Sequence, residues 1–147
     1  MVQVIKINGN LPDDRESLFY LKGHFLPAAT SGDSDKVSMT FSYVLLQKMF
    51  YRPAKLKSSF DAIDNVVDQL DFEVSGNKLN ITNRSPYYIT LNYICTNKEI
   101  VDIPENNSML EPFGKLCLEL KNKNVNEITW SLLNDGGYAT KLLTRKL

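Results

Sequence analysis

Histidine and cysteine are scarce in this chain of 147 residues, which contains one histidine, His24, and two cysteines, Cys95 and Cys117. So few ligands, so far apart in sequence, cannot form a closed zinc site, and a Ser-His-Asp or Cys-His catalytic site would have to use His24. Because His24 lies in an aromatic segment, a structural role is the preferred interpretation. The sequence therefore predicts no metal, no cofactor and no enzymatic activity.

The two cysteines allow one disulfide at most, and their spacing does not show whether they meet. Unpaired cysteine is among the residue types most often found buried. Two buried thiols are therefore the preferred interpretation for Cys95 and Cys117, with a disulfide as the alternative.

An excess of either charge is missing as well, since 17 basic residues balance 17 acidic ones. Without a basic excess a nucleic-acid partner is not expected. No apolar run approaches the roughly 18 residues of a membrane helix, so membrane insertion is not expected. The first nine residues do not have the pattern of a signal peptide, so the chain is either cytoplasmic or has its export signal outside this sequence.

Strand patterns dominate what is present. Apolar and polar residues alternate over residues 2–7 and most clearly over 37–50, and short apolar runs separated by turn formers follow from residue 70 to residue 144. Strands at this spacing predict an all-β sandwich. One segment differs, because residues 60–70 have apolar side chains at helical spacing. A helix of one to three turns is the alternative there.

Four blocks resemble the pilus and fimbrial assembly chaperones of Gram-negative bacteria. They are Leu11-Pro-Asp-Asp-Arg-Glu-Ser-Leu-Phe19, Lys48-Met-Phe-Tyr-Arg-Pro53, Asn83-Arg-Ser-Pro-Tyr-Tyr-Ile-Thr90 and Trp130-Ser-Leu-Leu-Asn-Asp-Gly-Gly137. The loop at 27–36 is short and has no flanking cysteine, which resembles the short-loop branch of that family. The occurrence of all four blocks in this order makes the resemblance strong, and it covers nearly the whole chain.

The resemblance implies immunoglobulin-like β-sandwich domains. Residues 1–53 correspond to the last two strands of a first domain, residues 54–59 to a linker and residues 60–147 to a complete second domain. The chain would then lack most of the first domain and the export signal. The implied function is that of a periplasmic chaperone, which stabilises pilus or fimbrial subunits by donor-strand complementation and delivers them to the outer-membrane usher.

The resemblance also assigns residues to these tasks. The donor strand would present one face of its alternating pattern to the subunit, and an ammonium group at its end would bind the subunit's terminal carboxylate. The donor residues are Val37, Met39, Phe41, Tyr43 and Leu45, and the anchor is Lys48. The alternatives are that the donor face packs in the protein's own core and that Lys48 is a solvated lysine at a strand end.

Three further charged residues, Glu16, Arg52 and Asp135, match a buried network that holds the two domains at a fixed angle in the family. Without the resemblance all three would be interpreted as ordinary surface charges. A second function remains open, in which the chain is a truncated, non-catalytic interaction module. Two strands alone leave open edges, so such a module would form homo-oligomers by strand exchange through residues 2–50.

Overall fold

A computed structural model describes residues 3–7, 9–26, 41–56, 61–104, 106 and 108–147. Ten strands lie in these ranges. They are β1 (Ser17–Phe25), β2 (Tyr43–Tyr51), β3 (Leu70–Ser75), β4 (Lys78–Asn83), β5 (Ile89–Thr96), β6 (Glu99–Ile100), β7 (Met109–Leu110), β8 (Lys115–Glu119), β9 (Glu127–Leu133) and β10 (Leu143–Lys146). The chain divides into two compact units, residues 17–51 and residues 1–16 with 52–147.

The larger unit contains two antiparallel sheets. One has the strand order β10-β9-β5-β6, with β7 also paired to β5, and the other has the order β3-β4-β8. Alternate side chains of these strands are buried, as expected for sheets that each cover one side of a core. Trp130 of β9 is 1% exposed, its ring lies 4.7 Å from that of Phe72, and its Nε1 donates a hydrogen bond to the Val67 carbonyl at 2.9 Å. The buried tryptophan thereby joins both sheets and the segment before β3.

The segment before β3 forms consecutive turns at residues 61–68 and not the helix considered as an alternative. The Asn65 amide bonds to the Asp61 carbonyl four residues back, whereas the Val66 amide bonds to the Ile63 carbonyl three residues back. Aspartate and asparagine side chains compete for backbone groups and weaken a regular helical ladder. The apolar residues of this segment nevertheless face the core, since the buried side chains are Ala62, Ile63, Val66, Val67 and Leu70. Phe60 lies outside the described residues.

Some strand predictions need correction. Residues 3–7 carry no strand, and the last strand starts at Leu143 and not at Ala139, which makes only an isolated bridge to Leu133. Alternation alone does not produce a strand where no neighbour supplies hydrogen bonds. The prediction of two buried thiols is half wrong, since Cys95 is buried but Cys117 on the outer side of β8 is exposed, and both are unpaired. No helix in the described ranges has the length and apolar character needed to cross a membrane.

The smaller unit is an antiparallel hairpin of β1 and β2, paired from Ser17↔Tyr51 to Phe25↔Tyr43. Residues directly opposite share a face, and faces alternate along each strand. One face, here called the uncharged face, bears no ionisable acid or base of the Asp, Glu, Lys, Arg or His type. Its members are Ser17, Phe19, Leu21, Gly23 and Phe25 of β1 and Tyr43, Leu45, Gln47, Met49 and Tyr51 of β2. The other, here called the basic face, includes Lys22, His24 and Lys48.

Candidate functional site

The guanidinium of Arg52 binds two carboxylates at once. Its Nε donates to Oε1 of Glu16 at 2.7 Å, while Nη1 and Nη2 donate to the two carboxylate oxygens of Asp135 at 2.8 and 3.0 Å. This parallel pair is the bidentate geometry for which arginine is suited. The structure therefore brings together the three charged residues that the sequence predicted as a network.

Burial differs among the three side chains, which are 2% exposed for Glu16, 16% for Arg52 and 32% for Asp135. The second Glu16 oxygen accepts a hydrogen bond from the Tyr88 amide at 2.7 Å. Burial alone would lower the pKa of Arg52, but the hydrogen bonds to Asp135 and Glu16 outweigh it and raise that pKa above its ordinary value. The guanidinium is thus held permanently charged beside two acceptors.

Local structure places each member of this network. Glu16 immediately precedes β1, and its amide donates to the Pro86 carbonyl at 2.9 Å. Arg52 immediately follows β2, and its guanidinium carbon lies 4.9 Å from the centre of the Tyr87 ring. Asp135 stands in the turn after β9, where Asn134 Oδ1 accepts hydrogen bonds from the Gly136 and Tyr138 amides. Gly137 completes this turn at a φ of 78°, a value that favours glycine.

The buried side-chain amide of Asn83 is hydrogen-bonded to the backbone of the Tyr87–Tyr88 segment. Asn83 is fully buried, and its Nδ2 donates to the carbonyls of Tyr87 and Glu111 at 2.8 and 2.9 Å. Its Oδ1 accepts from the Ser85 amide and hydroxyl at 2.9 and 2.8 Å. All four hydrogen-bonding positions of the side chain are therefore used. This explains physically why the block beginning at Asn83 carries Asn and Ser, a role that the sequence alone did not assign.

The predicted donor residues are only partly within the described ranges. Val37 and Met39 lie outside them, Phe41 lies two residues before β2, and Tyr43 and Leu45 are in β2 on the uncharged face. These three side chains are 74%, 65% and 50% exposed, respectively. Among the described residues β2 is hydrogen-bonded to β1 alone, so its other edge has no strand beside it.

Lys48 lies on the other side of the hairpin, on the basic face opposite Tyr20, and is exposed. Residues 43 and 48 have opposite parity on one strand, so an apolar partner at the uncharged face and an anion at Lys48 would contact different sides of β2. The described residues contain no group of three or more His, Cys, Asp or Glu side chains that could hold a metal ion.

The uncharged face contains an aromatic contact that the sequence pattern did not predict. The rings of Phe25 and Tyr43, directly opposite in register, stack with centroids 4.8 Å apart at an angle of 15°. Gly23 lies two residues before Phe25, and the Phe25 ring occupies the space where a Cβ of residue 23 would project. The glycine between aromatic residues in Phe19–Phe25 was the available signal, because glycine inside a strand often marks a close approach.

These observations define the chain as an all-β protein with an immunoglobulin-like sandwich in its larger unit and a hairpin in its smaller unit, and the all-β class is as the sequence predicted. A family model described as the C-terminal domain of the pili assembly chaperone PapD matches residues 65–143, and one described as the N-terminal domain of PapD, a pili and flagellar-assembly chaperone, matches residues 1–57. The chain therefore belongs to the PapD family of pili assembly chaperones. That family consists of chaperones, which confirms the prediction that the chain is not an enzyme.

Curated relatives give the same assignment. The chaperone protein FanE of Escherichia coli is 33% identical over 150 residues, covering 99% of this chain and 63% of the relative. The chaperone protein FimC of Escherichia coli strain K12 is 28% identical and covers 93% of this chain and 54% of the relative. The chain thus spans less than two thirds of the length of each of these relatives.

Solved structures of chaperones share the fold. The SafB chaperone, solved in complex with the Salmonella enterica SafA pilin, gives a TM-score of 0.75 at 22% identity, covering 95% of this chain and 64% of that one. The Escherichia coli chaperone DraB gives 0.74 at 24% identity, with the same coverage of both chains. At these identities the likeness concerns the fold, and it confirms the predicted immunoglobulin-like class.

Proposed function

We propose that this chain acts as a periplasmic chaperone of fimbrial or pilus subunits, which it stabilises by donor-strand complementation and delivers to the outer-membrane usher. Membership of the PapD family supports the general role. In this proposal residues 1–53 contribute the subunit-binding strands, 54–59 link them onward, and 60–147 form the second immunoglobulin-like domain.

The observation that carries this proposal is the exposed, uncharged side of β2. Tyr43 and Leu45 lie on it, each at least half exposed, beside a strand edge with no described neighbour. Phe41, two residues before β2, is 74% exposed and continues the alternation in the sequence. An incomplete sandwich exposes an apolar groove, and an added strand can satisfy its backbone while alternate side chains fill the groove. Val37 and Met39 extend the same alternation in the sequence, and we assign all five residues as donors.

Lys48 serves in this proposal as the anchor of the subunit's terminal carboxylate. Its ammonium group is a compact charge with three donors, and it stands on the basic face, five residues after Tyr43. An anchor at a fixed distance along β2 would determine which donor side chain meets which part of the groove, because a slip of one residue reverses the faces.

The Arg52 network serves to fix the orientation of the two domains. Glu16 and Arg52 stand at the two ends of the chain segment that forms the hairpin, and both are tied to the 86–88 segment or to Asp135 of the second domain. A bidentate contact with a buried partner restricts direction as well as distance. We therefore assign the network a role in orientation.

Co-expression in a periplasm tests the chaperone role and its anchor together. The chain and the SafA pilin are directed together to a periplasm, and the pilin recovered with the chain is quantified. We expect recovery with the unaltered chain and at least a tenfold reduction for Lys48→Ala. Lys22→Ala, which removes another exposed lysine of the basic face, is the matched control and should leave recovery unchanged. Equal recovery for Lys48→Ala would remove the anchor role, and no recovery at all would remove the chaperone role.

A second function is favoured by the same open hairpin. Both faces are substantially exposed, and the described residues place no second strand beside β2, so two copies of the chain can exchange or align these strands. The chain would then be an interaction module that forms homo-oligomers without chaperone activity.

A further inference from the structure

The uncharged face of the hairpin contains one pair of stacked aromatic rings, and only one of the two belongs to the donor strand. Tyr43 is on β2, whereas Phe25 is on β1, the strand that the donor model leaves in a supporting position. Their centroids are 4.8 Å apart and their planes differ by 15°. Offset stacking of this kind contributes favourably beyond the area that it buries.

Gly23 makes this arrangement possible. A Cβ at residue 23 would lie 3.0 Å from Cε2 and 3.4 Å from Cζ of Phe25, closer than carbon atoms normally approach. The ring of Phe25 therefore folds back along its own strand over the glycine, in the manner by which aromatic side chains cover glycines in sheets. A Cβ at position 23 would require this ring to shift by a few tenths of an ångström.

The position of the Phe25 ring in turn restricts Tyr43. A tyrosine that is 65% exposed at the end of a short hairpin would otherwise sample several side-chain rotamers. Immobilising a side chain on binding costs free energy, and a side chain already held in one orientation avoids part of that cost. Stacking on Phe25 is the contact that holds Tyr43 before a partner is bound.

We propose that Gly23 and Phe25 are positioning residues that pre-orient Tyr43 for insertion into an apolar groove of the fimbrial subunit, so that the donor site is built from both strands of the hairpin. This inference rests on the proposed donor role of β2. It adds that β1 contributes to affinity through the orientation of Tyr43.

Gly23→Ala is the informative variant, because it keeps both aromatic residues and changes only the space beside the Phe25 ring. The atom that must move is the far end of a flexible side chain, and alanine is compatible with a strand at this position, so the hairpin should remain paired. In NMR spectra of the unbound chain we expect cross-peaks between the Phe25 and Tyr43 rings to weaken, and the couplings that report χ1 of Tyr43 to shift towards rotamer averaging. His24→Ala, on the opposite face, should change neither. Unchanged Tyr43 couplings in both Gly23→Ala and Phe25→Ala would overturn the proposal.

The binding measurement uses the SafA pilin, refolded from denaturant in the presence of each variant. Phe25→Ala and Gly23→Ala should each weaken binding by about two- to tenfold, the range expected for one aromatic pair. The double variant Phe25→Ala/Tyr43→Ala should bind no more weakly than Tyr43→Ala alone, because Phe25 acts through Tyr43. Additive losses would overturn the positioning role in favour of direct contact. If the unaltered chain does not bind, the proposed function fails for this subunit, and the NMR couplings alone decide the positioning.

Discussion

At the scale of single residues, Arg52 has partners whose exposure is very unequal, and this decides what its removal should do. In Arg52→Ala the carboxylate of Glu16 would stay buried with the Tyr88 amide as its remaining observed donor. Leaving a buried charge without its partner typically costs about 3–5 kcal/mol. We expect the free energy of unfolding, measured by urea denaturation, to fall by about that amount.

Arg15→Ala is the matched control for this prediction. Arg15 pairs with the neighbouring Asp14, and both side chains are well exposed, at 42% and 56%. Exposed pairs contribute little, so the free energy of unfolding should hardly change. Similar losses for the two variants would show that the Arg52 network has no special weight. The raised pKa of Arg52 fixes the pH behaviour: its contribution to stability is complete below the ordinary pKa of arginine and is lost only as the pH rises from there through the raised pKa of the folded state, so stability at pH 10 should not fall through this residue.

The residues of the network illustrate what a sequence can and cannot provide. Glu16, Arg52 and Asp135 could be grouped only through resemblance to a family, because in isolation each has the character of a surface charge. The Tyr88 amide could not be assigned to the network in this way, because it is a backbone donor 72 residues from Glu16. Backbone partners carry no side-chain signal, so contacts of this kind cannot be predicted from residue types.

At the scale of elements, β10 is stabilised by side-chain hydrogen bonds in addition to its backbone pairing with β9. β10 has four residues and pairs with β9 alone among the described strands. Arg145 donates from Nη1 to the Leu70 carbonyl at 2.8 Å and from Nη2 to the Asp68 carbonyl at 3.0 Å, and its guanidinium lies 5.2 Å from the Trp130 ring centre. These bonds connect an edge strand of one sheet to the start of β3 in the other sheet.

We expect Arg145→Ala to loosen β10 and the start of β3 together. Hydrogen bonds to a charged group contribute about 1.5–3 kcal/mol, and partial exposure of Arg145 reduces this, so a loss of about 2 kcal/mol is expected. Amide exchange measured by mass spectrometry should speed up in residues 68–72 and 143–146. Lys146→Ala, next in sequence and exposed, is the control and should leave exchange unchanged. Faster exchange in β10 alone would mean that Arg145 does not couple the two sheets.

Element boundaries show where pattern analysis succeeded and where it failed. The apolar residues at helical spacing in 62–70 are buried, but their spacing did not distinguish a helix from a chain of turns that faces the core with the same side chains. β6 and β7 have two residues each, too few for any period to register. Their existence depends on pairing with β5, which is a property of the folded sheet and not of local sequence.

At the scale of the whole molecule, balanced charge and exposed apolar side chains both favour association between copies of the chain. A net charge of zero provides no electrostatic repulsion between copies. Nine large apolar side chains of β1 and β2 are exposed, namely Phe19, Tyr20, Leu21, Phe25, Tyr43, Val44, Leu45, Leu46 and Phe50. Contiguous exposed apolar surface of this kind favours association. We therefore expect the purified chain without a subunit to self-associate through the hairpin.

Leu45→Lys tests this expectation, because it places a charge in the middle of the uncharged face. Light scattering coupled to size-exclusion chromatography should show a concentration-dependent oligomer for the unaltered chain and a shift towards monomer for the variant, since a lysine opposed by an apolar partner must be desolvated. Leu142→Lys adds the same charge at an exposed leucine of the larger unit, 62% exposed, and should leave the oligomer intact. If both variants dissociate it equally, net charge and not the hairpin controls association. If the unaltered chain is monomeric at every concentration and its β1 and β2 amides are protected from exchange, the hairpin is stable alone and the strand-exchange function is excluded.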